Sequence, residues 1–342
     1  MKKQEEEETA NRPDNTAFTQ QRLPAWQPML SAGIVIPGFL LIGLVFIGIG
    51  VTLFVTSQNI QMLEMDYTGV DNTSPCYKCT DTKQQNCMCT LNFSVSTLVE
   101  GPVFFYYGLS NYFQNYRKYG VSKDFYQLSG DLTYFTTPSD DCLPYQYDSS
   151  TNSKPIVPCG SVANSMFNDS FTLYQIVNGT NKLVPFDGKG IAWWTDYNVK
   201  YRNPSVSPLE NAFNNTVKPP YWSKTAYELD TSDASNNGFI NQDFLVWMRR
   251  AALPDFRKLY RRITEGDYAQ GLPAGNYSLN ITYNYPVIPF NGRKKVVISN
   301  VSWMGGKNQF LGIAYLVVGS LCVFMSMVML IVYAKFKFPE ED

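Results

Sequence analysis

Histidine is absent from all 342 residues. Its absence removes Ser-His-Asp and Cys-His catalytic pairs, imidazole metal sites and the side chain that changes charge near neutral pH. No Walker loop, Gly-x-Ser-x-Gly elbow or dinucleotide fingerprint is present, which leaves carboxylate, lysine, tyrosine or thiol chemistry for any enzyme reading. The adjacent acids Asp140 and Asp141 stand in a Pro-rich stretch and read as surface. No nucleic-acid partner is expected of a chain with a formal net charge of −1. No metal, cofactor or catalytic residue is assigned. The mean hydropathy of −0.20 is an average over two opposite compositions, because the strongly apolar character sits in two blocks.

Charged residues are also missing from Gly33–Val55 and from Phe310–Tyr333. At ~1.5 Å per residue each block spans roughly 35 Å as a helix, enough for a ~30 Å hydrocarbon core. The first block is too long for a signal-peptide core and follows a hydrophilic lead, so it reads as a retained anchor. Two spans place both termini on one side. Lys2, Lys3, Arg12, Arg22, Lys335 and Lys337 favour the cytosol for those ends, while Arg293, Lys294, Lys295 and Lys307 dilute the bias. The expected organisation is a cytosolic segment 1–32, membrane helices 33–55 and 310–333, a domain 56–309 between them and a cytosolic tail 334–342. Trp26 and Tyr333 suit interfacial anchoring.

The region between the spans settles the expected orientation. It holds Cys76, Cys79, Cys87, Cys89, Cys142 and Cys159, and all eight Asn-x-Ser/Thr sequons, at Asn72, Asn92, Asn168, Asn178, Asn214, Asn276, Asn280 and Asn300. Paired cysteines with dense sequons read as an oxidising, glycosylating compartment. If the polar connector 80–86 is a turn, paired positions across a hairpin keep a nearly constant index sum. The nested pairs Cys79 with Cys87 and Cys76 with Cys89 keep it to within one residue, and the crossed pairs do not. Cys142 and Cys159 then close a Pro-rich loop. A four-thiolate zinc site is the competing reading.

Period-two alternation marks strands at 276–287, 91–97, 170–177 and 295–303, and an antiparallel sandwich-like core with short helices is expected. Phe244 to Ile263 reads instead as a basic helix broken at Pro254. It is either a solvated face or a docking face for an acidic partner or lipid head groups. Asp233-Ala-Ser-Asn-Asn-Gly238 opens like a calcium loop, but Phe244 stands where a bidentate glutamate is needed, so a turn is expected. In the spans, Gly48, Thr52 and Thr56 lie four apart, and Gly38, Gly43 and Gly48 five apart. Such small residues let helices pack on each other or on a membrane partner. These features suit a non-enzymatic subunit or receptor, or alternatively a two-span ligand-gated channel.

Several longer strings resemble the cell cycle control protein 50 family, also called transmembrane protein 30. They include Arg12-Pro-Asp-Asn-Thr-Ala-Phe, Gln21-Arg-Leu-Pro-Ala-Trp-Gln-Pro28, Asp66-Tyr-Thr-Gly69, Tyr107-Gly-Leu-Ser-Asn111 and Ala163-Asn-Ser-Met-Phe-Asn-Asp169. Gly190-Ile-Ala-Trp-Trp-Thr-Asp196, Asn237-Gly-Phe-Ile-Asn241, Asn280-Ile-Thr-Tyr-Asn-Tyr-Pro286 and Ser302-Trp-Met-Gly-Gly-Lys-Asn308 extend the match over nearly the whole chain. The resemblance implies an accessory β-subunit of a type-IV P-type ATPase, a lipid flippase, with two membrane helices, a glycosylated β-rich ectodomain and no catalysis of its own. It also implies the nested disulfides, a third at Cys142–Cys159, and glycans at Asn92, Asn168, Asn178 and Asn280. Contacts with the catalytic subunit are expected through Arg12, Arg22 and Trp26 and through the small-residue face at Gly48 and Thr52. The implied location is the endoplasmic reticulum, the secretory pathway and the plasma membrane. The glutamate run 5–8 and the tail Pro339-Glu-Glu-Asp342 depart from the family pattern.

Overall fold

An apolar run without charge satisfies its backbone groups internally by coiling into a helix. A computed structural model describes residues 14–25, 30–80, 87–150 and 153–336, and contains two such helices, Ala32–Gln58 and Phe310–Phe336. Both are long and apolar enough to cross a membrane. The chain divides into two compact units, one of Met1–Val55 with Gln309–Asp342 and one of Thr56–Asn308.

Within the first unit the two helices run antiparallel along one seam. A Cβ on Gly43 would stand 2.9 Å from the carbonyl oxygen of Gly319, and one on Gly312 would stand 2.8 Å from the backbone nitrogen of Phe54. Ser326 Oγ donates to the Ile36 carbonyl at 3.0 Å, and Tyr315 meets Phe46 edge-on at 5.1 Å between ring centroids. The contacting positions Ile36, Gly43 and Gly50 on one helix, and Gly312, Gly319 and Ser326 on the other, recur every seven residues. Seven residues return an α-helix to nearly the same face, whereas a spacing of five turns it by roughly 140°. Gly38 and Gly48 therefore do not share the face of Gly43, and no atom lies within 4 Å of a Cβ built on either.

The described residues of the second unit form twelve strands: β1 (Met62–Asp66), β2 (Cys87–Val95), β3 (Val99–Glu100), β4 (Val103–Ser110), β5 (Tyr147–Asp148), β6 (Lys154–Pro155), β7 (Ser170–Val177), β8 (Thr180–Leu183), β9 (Phe256–Ile263), β10 (Gly271–Leu272), β11 (Gly275–Tyr283) and β12 (Arg293–Asn300). Two antiparallel four-stranded sheets, ordered β1-β12-β4-β9 and β2-β11-β7-β8, form a sandwich, with β3-β10 and β5-β6 as short ribbons. The alternation in β11 is reproduced in part: Tyr277, Leu279, Ile281 and Tyr283 are buried, while on the opposite face Asn276 is exposed and Asn280 half-buried but Ser278 between them is buried. Rings from both sheets meet in the core, where Phe105 of β4 and Phe171 of β7 stand 5.2 Å apart and Tyr260 of β9 reaches Phe171 at 5.0 Å. A third group of aromatics (Phe135, Phe213, Phe239, Phe244 and Trp222) packs short helical segments onto this core.

The basic helix expected over Phe244–Ile263 is not present. The segment forms a short helix, Gln242–Met248, and then strand β9. Asn241 opens the helix by accepting the Phe244 N–H at 3.0 Å. The helix ends before Pro254, and the buried ammonium of Lys258, reaching back from β9, receives the last carbonyls. It donates to the oxygens of Val246, Trp247 and Arg249 at 2.9, 2.7 and 2.6 Å. A buried lysine on a strand bearing charge at several other positions hides the period-two signal.

Two smaller expectations also meet the structure. Asp233 accepts the Ser235 N–H at 2.9 Å at the head of a single turn, as expected of a turn rather than a calcium loop. The N-terminal stretch, whose Pro13, Pro24 and Pro28 and lack of a helical period lead one to expect an extended segment, turns within its described part: Gln20 N–H donates to the Thr16 carbonyl at 3.0 Å and Arg22 N–H to Ala17 at 2.7 Å.

Candidate interaction surface

The six cysteines of the sandwich unit form three disulfides: Cys76–Cys89, Cys79–Cys87 and Cys142–Cys159, with Cα separations of 5.1, 5.4 and 5.6 Å. The first two are nested, but their frame is not a two-stranded hairpin. Residues Tyr77–Thr80 form one 3₁₀ turn, in which positions three apart eclipse, and Cys87 and Cys89 lie on one face of β2. Cys76 immediately precedes this turn and Cys79 lies in it, so the nested pairs join a turn to a strand without a paired ladder. Cys142 follows Asp140 and Asp141 in another 3₁₀ turn, and the Cys159 N–H donates to buried Gln127 Oε1 at 2.8 Å.

Asn92, Asn168 and Asn178 are exposed, and Asn280 is half-buried with its Oδ1 accepting from Thr90 Oγ1 at 2.9 Å. Arg12 and Trp26 lie outside the described residues. Arg22 is exposed and donates to the side chain of Asn15. Gly48 and Thr52 are exposed on the first long helix, away from the seam, and Thr52 Oγ1 donates to the Gly48 carbonyl at 3.0 Å. Intramolecular packing uses Gly43 and Gly50 and leaves the Gly48 face uncovered within this unit. The heptad of small residues was readable in the sequence, but shorter spacings compete with it.

The basic residues 249–262 have different fates. Arg261 forms a two-pronged bridge to Asp243, with Nη1 to Oδ1 at 2.5 Å and Nη2 to Oδ2 at 3.0 Å, and Arg262 pairs with Asp187 at 2.6 Å. Arg249 lies 3.1 Å from Asp196 and stacks over Trp193 at 3.5 Å from the ring centroid. Trp193 and Trp194 are 62% and 70% exposed, unusual for side chains of this size. Lys258 has its pKa pushed well below the usual lysine range by burial and then by the Arg249 charge. Arg250 and Arg257 are exposed and have no carboxylate partner among the described residues.

A buried ion pair went unread in the sequence. Lys294 of β12 and Asp169, just before β7, are both fully buried and 2.7 Å apart. Lys294 also donates to the Tyr285 carbonyl at 2.7 Å and sits over the Tyr283 ring at 3.1 Å. Asp169 accepts from Tyr67 Oη at 2.9 Å and from the N–H groups of Asn284 and Tyr285 at 2.6 and 2.7 Å. One polar knot thus ties the first sheet to the second. Burial lowers the Lys294 pKa to about 8, with the Asp169 carboxylate opposing the shift. In the sequence Lys294 belongs to a run of three cations and Asp169 sits inside a sequon, and both contexts suggest exposure.

Two apolar helices that flank a disulfide-stapled, antiparallel β-sandwich in the chain define a two-span membrane protein with one large domain between its spans. A family model described as the LEM3 (ligand-effect modulator 3) family / CDC50 family matches residues 53–339. The chain is 54% identical over 331 residues to Cell cycle control protein 50A of Mus musculus, covering 95% of this chain and 90% of that protein. It is 53% identical over 342 residues to Cell cycle control protein 50B of Homo sapiens, covering 97% of each. ALA-interacting subunit 3 of Arabidopsis thaliana is 35% identical over 331 residues, 95% of this chain and 87% of that protein. The chain belongs to the CDC50/LEM3 family.

Proposed function

We propose that this chain is the non-catalytic accessory β-subunit of a phospholipid-translocating P-type ATPase, needed for that enzyme's folding, its exit from the endoplasmic reticulum and its movement of aminophospholipid toward the cytosolic leaflet. Membership of the family over nearly the whole chain carries this reading. The name of the Arabidopsis relative, an interacting subunit, supports it. ATP hydrolysis and the lipid path belong to the partner in this reading.

Contacts are spread over three regions. The segment containing Arg12, Arg22 and Trp26 docks on the partner's cytosolic face, and Gly48 and Thr52 let a partner helix approach closely. The sandwich, in the lumen or outside the cell with glycans at Asn92, Asn168, Asn178 and Asn280, covers the partner's outer loops. Both termini are cytosolic, and the complex travels from the endoplasmic reticulum through the secretory pathway to the plasma membrane. The test is affinity purification of the tagged full chain from its own membranes, with mass spectrometry of the co-purifying large subunit. A stoichiometric P-type ATPase is expected. Recovery of homo-oligomers alone, with ligand-gated current after reconstitution, overturns the reading in favour of a channel.

A further inference from the structure

Arg250 and Arg257 border a cleft of about 240 Å³ together with Trp193, Asp196, Arg249 and Lys258. Four of these six side chains are basic and one is acidic. The acid is already engaged, with Asp196 accepting from Lys200 at 2.8 Å and from Arg249 at 3.1 Å. Lys258 donates to three carbonyls, so it offers the cleft no free donor. Arg249 stands over the Trp193 ring. The guanidinium groups without a carboxylate are those of Arg250 and Arg257, and a guanidinium fork matches the oxygens of a phosphate. The volume is below the ~300–1,000 Å³ of pockets for drug-sized ligands, so the occupant is a small group.

The Arg257 end of the cleft fixes where such a group comes from. Arg257 Nη1 lies 3.3 Å from Met62 Sδ, and its other nitrogen packs against Gly306. Met62 follows closely on the first long helix, which ends at Gln58, and Gly306 shortly precedes Phe310, where the second begins. Four residues of chain span at most ~14 Å. This arginine therefore stands beside the residues through which the domain continues into both apolar helices. A protein with two membrane spans has phospholipid as its constant neighbour, and phospholipid is therefore the phosphate ester available to such a cleft.

We propose that this cleft is a binding site for a phosphate ester, with Arg250 and Arg257 as its donors, Trp193 as its aromatic wall and a phospholipid head group as the natural occupant. The site belongs to this chain alone and does not rest on the ATPase reading. The test uses the purified full chain in neutral detergent, without any partner. Dihexanoyl phosphatidylglycerol and inorganic phosphate are titrated separately, with binding read by calorimetry and by ³¹P line broadening. Saturable lipid binding is expected, weakened about tenfold or more (~1.4 kcal/mol or more) in Arg250→Glu/Arg257→Glu. The charge-matched pair Lys154→Glu/Lys224→Glu, exposed elsewhere, should leave it unchanged, and Arg250→Lys/Arg257→Lys should retain part of it. A wild-type melting temperature certifies the fold of each variant, and Arg250→Gln/Arg257→Gln replaces the glutamate pair if that pair unfolds. Equal affinity for inorganic phosphate upholds the phosphate chemistry and reassigns the source to a soluble anion. Absence of saturable binding for both probes, or equal losses in the control pair, overturns the proposal. So does a double variant that binds lipid normally but loses a co-purifying protein, which makes the cleft a protein contact.

Discussion

Lys294 shows how far one residue's role departs from its sequence context. Removing one member of a buried pair leaves the other charge uncompensated, which costs about 3–5 kcal/mol. Lys294→Met should therefore destabilise the sandwich by that order, and Asp169→Asn/Lys294→Met should restore much of it, as measured by thermal unfolding of the full chain. The same residue gives a pH dependence. Folded Lys294 releases its proton near pH 8, whereas the unfolded lysine holds it to about 10.5. Between these values the unfolded chain binds more protons, so this group's contribution to stability rises with pH. Tyr283, whose pKa burial raises in the folded state, acts oppositely once an unfolded tyrosine ionises, above its ordinary 10.0. The window is thus pH 8 to 10. Across it the melting temperature of the wild type should rise relative to Asp169→Asn/Lys294→Met, and a parallel pair of curves would exclude the assignment.

At the scale of elements, the seam between the long helices and the disulfides make separable predictions. A side chain at Gly43 collides with the Gly319 carbonyl and with Val323, whereas one at Gly48 meets open space. Gly43→Val should disrupt the pairing and Gly48→Val should spare it. Cross-linking of Ile36→Cys with Ser326→Cys reads this directly, with loss of the cross-link expected only in the Gly43 variant. The Gly48 variant tests the partner contact instead, through reduced co-purification. Among the disulfides, Cys142–Cys159 spans 17 residues, and its loss should cost about 3 kcal/mol on the chain-entropy account. Cys79–Cys87 spans only 8 residues inside the loop already closed by Cys76–Cys89, so replacing it with serines should cost less. Comparison of melting temperatures for the two serine pairs decides the order. The strands themselves were legible where one face is wet, as in β11 and β2. Strand β9 was not, because Lys258 is buried there by bonds to carbonyls that no local pattern announces.

Over the whole molecule, β1 pairs with β12, so the first and last strands of the sandwich unit lie side by side, with Met62 opposite Ser299. The Asn308 N–H donates to Ser57 Oγ at 3.1 Å, which brings together the points where the domain continues into its two helices. The proposed partner contact of the N-terminal segment is tested at this scale. Deleting residues 1–28 while keeping both spans should impair ATPase regulation or trafficking of the complex. Flippase activity and surface delivery equal to the full chain would count against that contact.

The sequence alone determined the two apolar helices and the β-rich domain between them. These follow from signals confined to a few neighbouring residues, uncharged length and period-two alternation, whereas the nested order of the first four cysteines matches the expectation on a different frame, a 3₁₀ turn against β2 instead of a hairpin. Tertiary structure decided which glycines meet across the helix seam, that Phe244–Ile263 divides into a helix and a strand, and that Lys294 and Asp169 are buried together. It also separated the basic residues consumed by aspartates from Arg250 and Arg257. The glycines and the Lys294–Asp169 pair find their partners far away in the chain, and even the carbonyls that hold Lys258 lie 9 to 12 residues back, beyond a local period. Burial and ion pairing depend on which surfaces the fold brings together, and one-dimensional periodicity carries no record of that.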